Sequence, residues 1–132
     1  MKKQLVFVYG TLRQNERNHH LLKDAICVAR QCWTEGMLYD SQLGYPFLVL
    51  DSSGRVYGEL YQVDALQLKA LDHLEGYKGP EEDNYYDRIE QLVQTDTESF
   101  QAKVYVLPSD RKQTMDMEPI KSGDWSKIKK RF

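Results

Sequence analysis

The chain reads as an α+β domain, a small, curved, mainly antiparallel sheet accompanied by one well-capped helix, and three observations predict it. Residues 5–9, from Leu5 to Tyr9, form an unbroken apolar run of β-branched and aromatic types, the pattern of a strand buried on both faces. Two pairs of strand-like segments, 47–50 with 55–63 and 89–94 with 102–107, flank turn sequences as β-hairpins do. Between those pairs lies a single segment bearing both a helix start and a helix stop signal.

Length and composition set the limits. With 132 residues the chain has enough apolar surface for one core, so residues 1–132 are read as a single domain. An apolar fraction of 41% beside 29% charged residues argues against disorder and against a membrane span. The formal net charge of −2 gives no reason to expect nucleic acid as a partner, and the basic run Lys127, Lys129, Lys130 and Arg131 reads as a solvated end. Lys2 and Lys3 precede an apolar stretch too short for a signal peptide, with no small-residue cleavage site after it, so a cytoplasmic location is expected. Cys27 and Cys32 lie five apart and match neither a redox nor a zinc spacing. They read as reduced, packed thiols.

Taken in order, the first strand runs into Gly10-Thr11-Leu12-Arg13. Gly10 carries no side chain, so backbone N–H groups around Gly10, Thr11 and Leu12 can converge into an anion-binding concavity. A polar stretch, 14–20, and an apolar one, 21–29, follow. His19 and His20 are adjacent, about 100° apart on a helix, and so are poorly placed to share a metal ion. Residues 35–40 read as a short strand, Gly44-Tyr45-Pro46 as a loop, and Phe47–Leu50 as a buried strand. Asp51-Ser52-Ser53-Gly54 then predicts a hairpin turn back into Arg55–Val63, where Gly58 allows a bulge, a bend or the close approach of another backbone, bending being favoured in a curved sheet.

Asp64 is a good helix N-cap, Gln67 completes a capping box, and Val63 can staple against Leu68. The helix should run through Leu66, Leu68, Ala70, Leu71 and Leu74 to a stop at Gly76. At 100° per residue Glu75 falls between Leu68 and Leu71, so a carboxyl points along the buried stripe. Burial and the carbonyl end of the helix both disfavour its ionised form and raise its pKa toward neutrality, which suits a group that takes a proton and returns it. If the helix stops a residue early, Glu75 instead faces solvent or pairs with Arg88, and the spacing leaves both readings open.

The acidic run from Gly79 to Asn84 is a loop, either a lid over Glu75 or plain solvated chain. Beyond Pro108 the pattern weakens to scattered anchors at Met115, Met117 and Ile120. Gly123-Asp124-Trp125 forms a compact element whose indole is expected to pack in the core rather than wall a pocket. The chain has no GxSxG elbow, HExxH, Walker A or GxGxxG pattern. A Cys/His nucleophile drawn from Cys27, Cys32, His19, His20 and His73 has no support in their spacing. A strand ending in a backbone nest and one inward carboxyl suggest proton transfer on a small anionic substrate.

Tyr9-Gly10-Thr11-Leu12-Arg13 with Asn18-His19, then Gly58-Glu59-Leu60-Tyr61-Gln62-Val63, then Leu71-Asp72-His73-Leu74-Glu75-Gly76-Tyr77, then Tyr86-Asp87-Arg88, resembles the γ-glutamylcyclotransferase-like superfamily. Within it the likeness is greatest to the γ-glutamylamine cyclotransferase-like branch, and it extends from about residue 5 to residue 107. The resemblance implies a barrel-like sheet enclosing a pocket with the Tyr9–Leu12 turn at its mouth. It also implies a reaction, attack of the α-amine of a γ-glutamyl group on its own γ-carbonyl, releasing 5-oxoproline and a free amine from a γ-glutamyl amine or peptide. Glu75 matches the family's catalytic glutamate, and Tyr9, Gly10, Thr11 and Leu12 match the element that holds the glutamyl moiety. Tyr86 matches a tyrosine found after the lid loop, a place that Tyr85 fills after a one-residue shift. Because nucleophile and electrophile share one molecule, no metal or organic cofactor is expected, and the partner is a small γ-glutamyl compound rather than nucleic acid or membrane. Two other classes stay open on the residues alone: a non-catalytic module binding a small anion in the same pocket, and a packed scaffold for protein contacts.

Overall fold

The computed structural model describes residues 3–111 and 116–128. The expectations for Met115 and for the basic run at Lys129, Lys130 and Arg131 fall outside them. Eight strands and one α-helix are present among these residues, in the order β1 (Gln4–Val8), β2 (Ile26–Glu35), β3 (Met37–Asp40), β4 (Pro46–Val49), β5 (Arg55–Val63), α1 (Ala65–Glu75), β6 (Asp87–Gln94), β7 (Ser99–Val106) and β8 (Glu118–Pro119). Five strands close into a barrel in the order β1-β5-β2-β6-β7, and a small sheet of order β4-β3-β8 packs beside it. Every pairing is antiparallel except the closing contact of β1 with β7.

β1 is apolar from Leu5 onward because each of its faces meets a different core. Phe7 and Tyr9 pack with Cys32, Leu60, Val93 and Val104, one set of residues drawn from all five barrel strands, which fills the barrel interior. Val6 and Val8 point the other way, into a cluster with Phe47, Tyr61, Leu68, Leu71 and Tyr105 that joins the barrel wall to α1 and β4. Each fully buried leucine or phenylalanine of this kind contributes on the order of 1.5–3 kcal/mol.

The expected β6–β7 hairpin is present in continuous register from Asp87↔Val106 to Gln94↔Ser99. The expected hairpin between 47–50 and 55–63 is not. The Asp51 turn exists, with the Ser53 N–H and hydroxyl both donating to Asp51 Oδ1, but it passes the chain from the small sheet into the barrel. A strand has only two edges, and those of β5 are taken by β1 and β2, while β4 pairs with β3. Gly58 serves close approach rather than bending alone. A Cβ there would lie 2.2 Å from the Val8 carbonyl oxygen and 2.8 Å from the Phe7 ring, so its bareness lets β1 and β5 close on each other. The bulges fall opposite, on β2, between Cys27 and Ala29 and between Ala29 and Cys32.

α1 forms as its caps dictate. Asp64 accepts from the Gln67 N–H and the Gln67 side chain accepts from the Asp64 N–H. Gly76 closes the helix in the left-handed conformation at φ 68°. Val63 and Leu68 share one core cluster, as a staple requires. Leu68 and Leu71 are buried, whereas Leu66 and Leu74 are exposed. Trp125 is buried in the barrel core, as expected. Both cysteines are free. No helix among the described residues is long and apolar enough to cross a membrane.

Candidate active site

A cavity of about 300 Å³ opens where the end of β1 meets the end of α1. Its walls come from the turn Tyr9–Leu12, from Tyr45 and Pro46 at the start of β4, from Leu74 and Glu75 on α1, from Tyr85 and Tyr86 before β6, and from Tyr105 on β7. All six residues singled out in the sequence, Tyr9, Gly10, Thr11, Leu12, Glu75 and Tyr86, therefore meet in one place.

The turn is built with its carbonyls occupied and its amides open. Gly10 O accepts from the Arg13 N–H at 3.0 Å and Thr11 O from the Asn18 N–H at 2.9 Å, while Leu12 O accepts from His19 Nδ1 at 2.9 Å. Asn18 Nδ2 donates to the Thr11 hydroxyl at 2.9 Å, which leaves the hydroxyl proton available. Among the described residues, none accepts from the N–H groups of Gly10, Thr11 or Leu12. Gly10 is required for space, because a Cβ would sit 2.8 Å from the ring of Pro46. His19 thus has the local hydrogen-bonding role that is the default for such a residue. No cluster of His, Cys, Asp or Glu suited to a metal ion occurs among the described residues.

The turn is held from behind by charges that sequence reasoning did not single out. Arg13 Nε donates to Glu59 Oε2 at 3.1 Å and Arg13 Nη1 to Asp124 Oδ1 at 2.8 Å. Glu59 also accepts from the Gln14 N–H and the Tyr61 hydroxyl. Three donors, one of them the Arg13 guanidinium, thus satisfy a carboxylate that would be costly to bury alone. A signal was present, since Glu59 interrupts a strand whose neighbours are apolar or aromatic.

Glu75 is the last residue of α1 and is only partly exposed. Neither alternative for it holds. Arg88 pairs instead with Asp72, Nη1 to Oδ2 at 2.5 Å, and the Glu75 side chain lines the cavity. No hydrogen bond or ion pair holds its carboxyl among the described residues. Burial pushes its pKa from 4.5 to about 7. Several carbonyls of the last turn are engaged, Asp72 O by Gly76 and Tyr77 N–H, His73 O by Gly76 N–H and Glu75 O by Tyr86 N–H. Tyr105, whose hydroxyl donates to Asp72 Oδ1 at 2.7 Å, joins Arg88 in fixing this end of the helix to the barrel.

The tyrosines around Glu75 are structural donors. Tyr9 gives its hydroxyl proton to Tyr105 O at 2.6 Å and accepts from the Leu48 N–H, tying the barrel to the small sheet. Tyr86 donates to Pro46 O at 2.7 Å and lays its ring 4.6 Å from that of Phe47. Burial first, then Glu75 for Tyr9 and Tyr9 followed by Glu75 for Tyr86, keeps both hydroxyls protonated well above their ordinary range. Tyr85 has a different position. It is 37% exposed and its hydroxyl meets that of Tyr45 across the cavity rim. The acidic loop before it is pinned by Asn84, which accepts from the Lys78 N–H and donates to Gly79 O and Asp87.

A closed barrel bearing an open amide turn and an unpaired carboxyl in one cavity defines a small α+β barrel with a site for small molecules. The chain matches the model of the family described as γ-glutamyl cyclotransferase, AIG2-like, over residues 6–127, and it belongs to that family. It is 37% identical over 125 residues to the γ-L-glutamyl-butirosin B γ-glutamyl cyclotransferase of Niallia circulans, covering 94% of this chain and 76% of that one. The crystal structure of YkqA from Bacillus subtilis superposes with a TM-score of 0.74 at 34% identity over 94% of this chain, which spans only 40% of YkqA. An AIG2-like protein from mouse superposes with a TM-score of 0.67 at 27% identity, over 83% of this chain and 80% of its own. The resemblance drawn from the motifs is thereby established, and with it membership of an enzyme family.

Proposed function

We propose that the protein is a γ-glutamyl cyclotransferase acting on γ-glutamyl amines or peptides, with Glu75 as general base and acid. The observation that carries this reading is the meeting, in one cavity, of three unengaged backbone amides and an unpaired carboxyl whose pKa stands near neutrality.

The chemistry follows from those groups. Cyclisation needs the substrate's α-amine neutral, and a carboxylate with a pKa of about 7 accepts a proton from it at neutral pH. The amine nitrogen attacks the γ-carbonyl, a five-membered ring forms, and the carbonyl oxygen gains negative charge. Amides of Gly10, Thr11 and Leu12 hold the glutamyl moiety, either at its α-carboxylate or at that oxyanion. As the γ-amide C–N bond breaks, the protonated Glu75 returns the proton to the departing nitrogen. Products are 5-oxoproline and a free amine, and no water is consumed. Orientation of two groups within one molecule supplies much of the rate.

The test is release of 5-oxoproline from a panel of γ-glutamyl amines and peptides by wild type and Glu75→Gln. Turnover by wild type and its loss in a folded variant, checked by circular dichroism, is the expected result. Equal turnover by the variant refutes the role of Glu75. If wild type turns over none of the panel yet a γ-glutamyl ligand raises its Tm, the protein is a binding module.

A further inference from the structure

Two charged side chains occur among the described lining residues of the cavity, Glu75 and Arg17, and the reaction above uses only the first. Arg17 is exposed at the rim. Its guanidinium lies over Gly44, with Nη1 3.2 Å from where a Cβ on that glycine would stand. Next to it, Tyr45 feels its charge as a lowering influence, outweighed by burial and by Tyr85, so that the Tyr45 hydroxyl is pushed up to about 12. The ion pairs of the other cavity-side arginines are satisfied, Arg13 by Glu59 and Asp124 and Arg88 by Asp72. No carboxylate among the described residues pairs with Arg17.

The position of this cation relative to the reacting groups determines what it meets. Glu75 is the more enclosed group, walled by Tyr9, Tyr86 and Tyr105. Arg17 shares the open side with Tyr45 and the exposed Tyr85. A γ-glutamyl group cyclising against Glu75 keeps its own carboxylate and amine inside, and its departing amine must leave through the rim. A γ-glutamyl amine carries one carboxylate, for which the backbone amides suffice. A substrate whose leaving group is an amino acid carries a second one, at the end that faces outward.

Resting on the cyclotransferase reading, we infer that Arg17 is a specificity-determining residue for the leaving group: it favours a departing amine that carries a carboxylate and disfavours one that carries a second cation. A planar guanidinium takes a carboxylate in two parallel hydrogen bonds, and the same charge repels an ammonium group, so one residue supplies attraction and rejection together.

Three probes of nearly equal size separate these effects: γ-glutamylglycine, its decarboxylated counterpart γ-glutamylmethylamine, and the cationic γ-glutamylethylenediamine. For wild type, kcat/KM is expected to fall in that order, by about tenfold between the first two, as for a charged hydrogen bond. In Arg17→Gln the three values should converge, while Arg17→Lys should keep the order with a smaller spread. An unchanged ratio in Arg17→Gln overturns the inference. An equal fall for all three also overturns it, since that places the guanidinium on the glutamyl carboxylate. Should wild type release 5-oxoproline from none, calorimetric Kd values for the same compounds decide. A carboxylate-dependent difference lost in Arg17→Gln upholds Arg17 while the cyclotransferase reading fails, and no binding by any probe overturns both.

Discussion

Glu75 makes a measurable demand on stability that is separate from its chemistry. Its carboxyl stands at about 7 in the folded chain against an ordinary value of 4.5, because burial disfavours its charge. Below pH 4.5 the group is neutral folded and unfolded, and it costs nothing. Between pH 4.5 and 7 the unfolded chain has already lost the proton that the folded chain retains, so stability falls as pH rises. Above 7 both states are ionised and the loss is complete. The full rise corresponds to roughly 3 kcal/mol, and screening by solvent in an open cavity brings the expectation to about 1–3 kcal/mol. Glu75→Gln replaces the carboxyl with a group of the same shape that never ionises. Urea unfolding at pH 4 and pH 8 should therefore show the variant gaining on wild type by that amount at the higher pH. Other titrating groups cancel in the comparison. If the variant and wild type differ equally at the two pH values, Glu75 has an ordinary pKa, and the argument that burial tunes it for proton transfer fails with it.

Two further substitutions probe the frame around the site. Arg13→Gln leaves Glu59 and Asp124 without their cation, at side-chain exposures of 8% and 15%. It should cost on the order of 3 kcal/mol in urea unfolding and lower kcat/KM for a γ-glutamyl substrate, because the turn it braces holds the glutamyl moiety. Gly58→Ala places a Cβ 2.2 Å from a backbone oxygen of β1. Since backbone cannot yield there as a flexible side chain would, a loss above about 2 kcal/mol is expected, read as a lowered urea midpoint.

Local signals explain what was legible in the sequence. The capping box at Asp64 and Gln67 and the stop at Gly76 marked both ends of α1, but a one-residue ambiguity at the C-terminal end left the direction of Glu75 open until the structure carried the helix through it. β1 and the β6–β7 hairpin announced themselves by apolar run and by turn. β2 did not, because Ile26 and Val28 face outward at 56% and 38% exposure, Thr34 is buried, and two bulges break the alternation. The hairpin error has a different origin. A turn sequence reports that the chain reverses, not which strand receives it, and the pairing of β5 with β1 and β2 rests on contacts distant in sequence. The same limit hid Tyr45, Tyr105 and Arg17, which line the cavity by virtue of tertiary packing with no local pattern of their own.

The charges near the cavity divide by whether they have partners, and that division corresponds to what each is placed to do. Arg13 is consumed by Glu59 and Asp124, and Asp72 by Arg88 and Tyr105. The first set braces the turn and the second braces the end of α1, so the two halves of the site are held by separate networks. A charge already paired and hydrogen-bonded has little left to offer a ligand, and removing its partner damages the fold. Glu75 and Arg17 lack such partners among the described residues, and for the enclosed Glu75 that carries a cost in stability that a purely structural role would not justify. Both border the cavity, one enclosed and one at the rim, as a proton carrier and a leaving-group selector would be placed.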